Sequence, residues 1–463
     1  MKLIPIVTLF LIGQNSFGQS KVQKIDSILT NLYNTGDLNG NVLIAEKGKV
    51  IYNKSFGFSN ESTKEKLNEN SIFELASVSK QFTAMAIVIL KEKGKLNYDE
   101  KISKYIPELS HYSNITIRNL LNHTSGLPDY VALMDTTFDK TKIATNKDII
   151  SAFAKYRPTV LFEPNTMWEY SNLGYDLLAS VIEKASGMSY GDYLTQAIFK
   201  PLKMENTFVY TRRYAPKKVA NYAYGYVYSD SLKKYVLPDD LDEFKFVVWL
   251  DGVVGEQTVN STVVDLLKWD RALYTNKLIS KKSKREIFRS SELNDKSKTG
   301  YGFGWEIKDH KDYGNIVSHD GSWPGYGTLI ERHIQNDKTI IVLLNYANYA
   351  KNNSFPNSDL KNILYDIEPL KFIELKPEEF KMFAGEYKDS TGFVVKVIYE
   401  NGKLSRTHSS GKIYELKAIS KNKFYMVGSA PDIFIEFIVK DNKVEKYIVT
   451  QPELKVVKEL IKQ

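Results

Sequence analysis

Apolar and polar positions alternate with different periods along this chain, and the changes of period mark its elements. Val22, Ile25, Ile28, Leu29 and Leu32 recur at helical spacing, which predicts a helix over Val22–Tyr33 with Gly36 as its stop. Two β-rich runs, Val42–Glu46 and Val50–Phe56, flank Lys47-Gly48 and predict a hairpin. Ala84–Leu90 is apolar on every side, so the helix it predicts is a buried one, opened by Ser77 and ending near Gly94. Residues from about 100 to 275 read mostly as helix and loop. Ile115–Pro128 is a short helix stopped by Gly126 and Pro128, and Tyr170 lies where a Pro-marked loop enters a helix that ends at Gly187. Tyr222–Tyr235 is tyrosine-rich and reads as an irregular surface loop. Gly252-Val-Val-Gly255 is a tight turn, and Ser261-Thr262-Val-Val-Asp265 is a capping box that opens a helix through Trp269 and Leu273.

The last third changes period. Tyr301–Ile307 alternates with period two and predicts a strand, followed by strands over Ile316–His319, Tyr326–His333 and Lys338–Asn345. His319-Asp320-Gly321-Ser322 is expected to end the first of these three, and Asn357–Tyr365 to form a closing helix. A charged, Pro-bearing linker, Glu368–Pro377, then leads to short strands with turns at Asn401-Gly402, Ser410-Gly411 and Asn442-Lys443. Those predict a small antiparallel β-domain, a sandwich or a barrel.

Composition narrows the function classes. The 463 residues are 43% apolar, enough for two or three globular units. The formal charge of +8 comes from 63 basic and 55 acidic residues that are interspersed, so the surface is solvated and no nucleic-acid partner is expected. With no cysteine there is no disulfide, thiolate metal site, cysteine nucleophile or lipid-modified cysteine. The six histidines lack metal-ligand spacing, and neither metal nor cofactor is expected. Met1-Lys2, the apolar Leu3–Ile12 and the small residues near Gly18 read as a secretory signal peptide. The apolar run is too short to span a bilayer, so no transmembrane anchor is expected after cleavage. The expected division is a signal peptide at 1–18, a large mixed helix-and-strand domain at 20–366, a linker at 367–377 and a β-domain at 378–463, in a protein exported to the periplasm or beyond the cell.

Candidate chemistry starts at Ser77 and Lys80. Three residues apart on a helix, their side chains share one face. A buried amine can accept the serine proton, and unpaired N–H groups at a helix start favour a developing negative charge. The same spacing also begins at Ser231, Ser358, Ser409 and Ser420, but only Ser77 leads into a long apolar helix. Tyr170-x-Asn172 recurs as a triplet too, yet here it sits on a loop-to-helix junction that can aim both side chains into a cleft. His123 is available as an acid or base; a local hydrogen bond that shapes its loop is the expected role.

Ser77-x-x-Lys80, Tyr170-x-Asn172 and His319-x-Gly321, in that order, resemble the serine β-lactamase and penicillin-binding-protein superfamily, in its class C β-lactamase and D-alanyl-D-alanine carboxypeptidase branch. Leu120–Leu127, Tyr301–Trp305 and Ser261–Leu266 resemble its flanking segments, over roughly residues 22 to 366. The resemblance implies an α/β (α+β) fold: an antiparallel sheet built from both chain ends and flanked by helices, with an inserted helical lobe, and the small C-terminal β-domain appended. It implies Ser77 as nucleophile, Lys80 and Tyr170 sharing the general-base and general-acid roles, and Asn172 orienting Lys80 and substrate. His319, Gly321 and Ser322 would bind substrate, and the backbone N–H groups of Ser77 and Ser322 would form the oxyanion hole. His319 stands where many members carry lysine. The literal Lys298-Thr299-Gly300 precedes the Tyr-Gly-Phe-Gly-Trp segment, whereas the family's third motif follows it, so it is set aside.

A neutral histidine in place of a lysine weakens the expectation of strong β-lactamase activity. The reading implied is a secreted serine hydrolase acting on an amide or ester through an acyl-serine, with a D-peptide, a small ester, a β-lactam or a peptidoglycan fragment as substrate. The alternative is a catalytically idle module that binds peptidoglycan or a protein partner.

Overall fold

The computed structural model describes residues 11–347, 355–368, 370–407, 412–427, 429, 432–452 and 456–463, with side chains from residue 21 onward. The first half of the expected signal peptide, residues 1–10, lies outside the described residues; Leu11–Asn34 is one helix, capped off by the turn at Gly36.

The chain forms two compact units, Met1–Leu364 and Tyr365–Gln463. The first unit is organised on a six-stranded antiparallel sheet, in the order Glu306–His310, Gly314–Trp323, Tyr326–His333, Lys338–Leu344, Gly40–Glu46, Lys49–Phe56. Both chain ends thus meet in one sheet: Gly40 pairs with Leu344 and Glu46 with Lys338. The N-terminal hairpin turns at Lys47 and Gly48, both at positive φ, which suits the twist of a tight hairpin. The segment between the sheet's two parts supplies the helices expected for 100–275, with the short strands Phe208–Val209, Tyr226–Ser229, Lys234–Val236 and Val259–Ser261 among them. Thr262 caps Val263–Leu273 by accepting from the Asp265 N–H, and Ser171 caps Asn172–Ser186, which ends at the left-handed Gly187.

Four expectations need correction. Tyr301–Trp305 is not strand; pairing starts at Glu306. Gly304 takes a φ of +76°, and a Cβ there would lie 2.8 Å from the Lys80 carbonyl oxygen, so this stretch bends to meet the Ser77 helix. His319-Asp-Gly-Ser does not end its strand, which continues to Trp323. The tyrosine-rich stretch is not an irregular surface loop: Tyr226–Ser229 lies in a three-stranded sheet, and Tyr222 and Tyr226 are buried. Asn442-Lys443 does not form the turn; Asp441 and Asn442, both left-handed, turn one residue earlier.

The second unit closes eight antiparallel strands from Gly385 to Lys462 into a barrel, which settles the sandwich-or-barrel alternative. Its core is aromatic, with Phe383, Tyr387, Phe424, Phe437 and Tyr447 in mutual contact. The Asn401-Gly402 turn is present, whereas Ser410-Gly411 lies outside the described residues.

Candidate active site

Everything from Ser71 to Leu90 is buried except Ser77. The short strand Phe73–Glu74 pairs with Val259–Ser261, and Ala76, at a φ of +46°, throws the chain out of it into a 3-10 turn over Ala76–Ser79. Lys80 then begins an α-helix to Glu92. Ser77 therefore opens the tight turn rather than the α-helix itself, among N–H groups that a helix start leaves without intrahelical partners.

The His319 strand packs against this turn. His319 and Gly321 face inward while Asp320 and Ser322 are exposed, the alternation a strand imposes. A Cβ on Gly321 would come within 2.5 Å of the Leu75 carbonyl oxygen and 2.9 Å of the Ser77 nitrogen. Gly321 acts here through its missing side chain: it lets the strand approach the Ser77 backbone. Thr328 on the neighbouring strand donates to the same Leu75 carbonyl at 2.6 Å.

Lys80 is fully buried. Its Nζ lies 3.1 Å from Ser77 Oγ, 2.8 Å from Asn172 Oδ1 and 3.2 Å from the Glu256 carbonyl oxygen. Three acceptors match the three N–H donors of an ammonium group. Tyr170 lies against the same amine, with its ring centroid 5.0 Å from Nζ. Burial works against the lysine charge, but its interactions with Tyr170 and Glu256 outweigh that and hold Lys80 above the ordinary lysine range.

Beneath Lys80 sits a carboxylate cluster that sequence reasoning missed. Glu256 Oε2 is 3.7 Å from Nζ, Tyr130 donates to Glu256 Oε1 at 2.6 Å, and the Glu256 N–H donates to Asp176 Oδ1 at 3.4 Å. Burial pushes both carboxyls up, and Asp176, facing Glu256, is pushed well above the carboxylate range. Glu256 faces the ammonium directly, which works against its rise. The signal was the tight turn before it: Gly255 at a φ of +121° has room for no side chain, since a Cβ would sit 2.3 Å from the Tyr175 carbonyl oxygen. Such a turn pins the next residue against the Asn172 helix.

The two histidines lie near the Tyr170 ring without facing solvent. His123 Nδ1 accepts from the Ser171 N–H at 3.1 Å, which shapes the loop leading into the Asn172 helix, as expected for it. Burial lowers its pKa well below the usual histidine value. His319 Nε2 is 2.9 Å from the Tyr301 hydroxyl and Nδ1 is 2.6 Å from the Asp320 carbonyl oxygen. That carbonyl can only accept, so Nδ1 carries the hydrogen and Nε2 accepts from Tyr301. Burial and the nearby Lys80 charge push His319 down as well.

The structure thus brings Ser77, Lys80, Tyr170, Asn172, His319 and Gly321 together, and of these Ser77 and Asn172, with Ser322, line a cleft of about 300 Å³. Phe244, Phe246 and Trp323 also line it and were not singled out in the sequence. Lys298 of the rejected Lys-Thr-Gly is exposed and sits in an isolated bridge with Glu292. Among the described residues no group of three or more acidic, histidine or cysteine side chains is arranged to hold a metal ion.

The profile of the Beta-lactamase family matches residues 26–359. Penicillin-binding protein 4* of Bacillus subtilis (strain 168) is 40% identical over 443 residues, 93% of this chain and 97% of that protein. Among solved structures, the octameric penicillin-binding protein homologue from Pyrococcus abyssi superposes with a TM-score of 0.65, over 95% of this chain and 100% of that one, at 23% identity. A D-amino acid amidase from Ochrobactrum anthropi SV3, complexed with D-phenylalanine, gives 0.60 over 74% of this chain and 98% of its own, also at 23%. At that identity these two speak for the fold alone.

Proposed function

The chain belongs to the serine β-lactamase and penicillin-binding-protein superfamily, a family of β-lactamase-fold serine hydrolases, and from that premise we propose that it cleaves an amide or ester through an acyl-serine on Ser77. The observation that carries the reading is a single accessible serine in a buried segment, 3.1 Å from a lysine whose three donors are all engaged.

In this mechanism Lys80 and Tyr170 act as a pair that shares the general-base role, and the Ser77 proton passes to that pair through Tyr170. Ser77 Oγ adds to the acyl carbon, and the carbonyl electron pair moves onto oxygen, facing the N–H groups of Ser77 and Ser322. Collapse breaks the bond to the leaving amine or alcohol, which takes the proton back from Tyr170. Water then attacks the ester, its proton passes to Tyr170 and on to Ser77 Oγ, and the acid leaves. Glu256 balances the charge of Lys80, and Asn172 fixes its position. A β-lactam, a small D-peptide, a peptidoglycan fragment and a small ester are the candidate substrates. Export rests on the pattern from Met1 to Gly18; mature protein from its host beginning at Met1 would remove that part of the reading.

The test is intact-protein mass after mixing wild type and Ser77→Ala with a fluorophosphonate, a penicillin and a p-nitrophenyl ester. Wild type should gain a covalent adduct that Ser77→Ala does not, and turnover should fall on the order of 10⁶-fold, as for other serine nucleophiles. Undiminished turnover in Ser77→Ala refutes the nucleophile.

A further inference from the structure

The cleft in front of Ser77 has an uneven chemical lining. Its polar lining residues include Ser77, Asn172, Gln257 and Ser322. Its aromatic ones form a cluster: Phe246 and Trp323 meet edge to face with ring centroids 5.4 Å apart, and Phe244 lies 6.4 Å from Phe246. No lysine, arginine or histidine among the described residues lines it, and its single ionisable lining residue is the acid Glu256.

The two cationic candidates nearby are already committed. Lys80 is fully buried and gives its hydrogens to Ser77, Asn172 and the Glu256 carbonyl. His319 is buried, and both ring nitrogens are satisfied, one by the Tyr301 hydroxyl and one by the Asp320 carbonyl. It has no N–H left to offer a ligand. A substrate carboxylate entering this cleft would lose its water and meet aromatic rings and a buried acid, with no charged side chain that has a hydrogen to spare for it. A neutral group with a flat ring loses little on entry and gains edge-to-face contact with Phe246 and Trp323. A volume of about 300 Å³ suits one such ring beside the scissile bond.

Resting on the acyl-serine reading above, we infer that the cleft selects uncharged substrates carrying an aromatic group next to the scissile bond. Amides and esters of aromatic amino acids fit that class, and a peptide or β-lactam that presents a free carboxylate beside the reacting carbonyl does not.

A matched pair of thioesters tests this: N-acetyl-phenylalanyl thioglycolate, whose leaving group bears a free carboxylate, and its methyl ester. Both are made as D and L forms, with the alanyl analogues alongside, and thiol release is followed by colour. The methyl ester should exceed the acid in kcat/KM by on the order of 100-fold. The phenylalanyl compounds should exceed the alanyl ones by roughly 10-fold, and Phe246→Ala should abolish that ring preference while keeping the ester preference. His319→Lys should narrow the ester-to-acid ratio. Equal rates on acid and ester, or a faster acid, overturn the inference. So does cleavage of neither thioester by a protein that a fluorophosphonate labels at Ser77. Absence of that label instead overturns the acyl-serine reading, and this inference with it.

Discussion

Two fully buried cations in the first unit, Lys80 and Arg332, are treated in opposite ways. Arg332, on the Tyr326–His333 strand, bonds Asp270 of the Val263–Leu273 helix through Nε at 2.5 Å. Asp270 is further held by Arg271 at 2.7 Å and by the Thr339 hydroxyl at 3.0 Å. Rings of Tyr274, Phe288 and Trp305 surround the Arg332 guanidinium. This charge is neutralised in direct contact and ties helix to sheet. Lys80 instead keeps its carboxylate, Glu256, at 3.7 Å and gives its short bonds to neutral oxygens, one of them the hydroxyl of Ser77. The residue types fit the difference: a guanidinium does not give up its proton, whereas an amine can, so lysine suits a place where protons move. Burial alone therefore does not mark a catalytic cation. The mark is a charge balanced at a distance, with an accessible nucleophile among its close partners.

The comparison breaks most sharply if Lys80 is replaced. Lys80→Met should lower kcat/KM by about 10²–10⁴-fold, as loss of a general acid–base group does, and Tyr170→Phe by a similar factor. The melting temperature should move little in either, because Glu256 can take up a proton when its counter-charge is gone. Near-normal rates in both variants would dissolve the distinction between the two cations.

Arg332→Met is the converse. It should cost stability, about 3 kcal/mol, the lower end for a broken buried ion pair because Arg271 and Thr339 still hold Asp270. Below the melting transition, kcat should match wild type. A large loss of kcat from a folded Arg332→Met protein would mean that this pair also serves the chemistry.

Glu74 offers a third, smaller test. It is buried three residues before Ser77, and its carboxyl makes no hydrogen bond or ion pair among the described residues. Burial, then the charge of Asp251, raises its pKa from 4.5 to about 7, against the pull of Arg213 and Arg212. Because the folded value is the higher one, ionisation disfavours the folded state. The penalty is absent below pH 4.5, grows between 4.5 and about 7, and is constant above, at roughly 3 kcal/mol or less. Glu74→Gln should therefore stabilise the protein at pH 8 and leave it unchanged at pH 4. Chemical denaturation at the two pH values measures this, and an equal effect at both would show that Glu74 does not change charge across that range.

Local order made much of this molecule legible in its sequence. The N-terminal hairpin, the capped helix from Val263, the strands from Tyr326 and Lys338 and the β-rich C-terminal unit follow from period, caps and turn residues, all of which act over a few neighbours. The Ser77–Lys80 pairing follows too, because three residues of a helical turn fix both side chains on one side. The ordered motifs pointed to Tyr170, Asn172 and His319 by resemblance rather than by physics. Tertiary structure alone decided the rest. Glu256 lies 176 residues beyond Lys80, and its position depends on Gly255 fitting against Tyr175. Tyr301–Trp305 alternates like a strand, yet its backbone bends, because Gly304 must lie against the Lys80 carbonyl. The aromatic cluster joins Phe244 and Phe246 to Trp323 across nearly eighty residues of chain. Period and propensity report what a residue's neighbours in sequence impose. Which buried charge is balanced at a distance, and which rings line the cleft, depend on contacts that exist only once the sheet has joined the two ends of its domain.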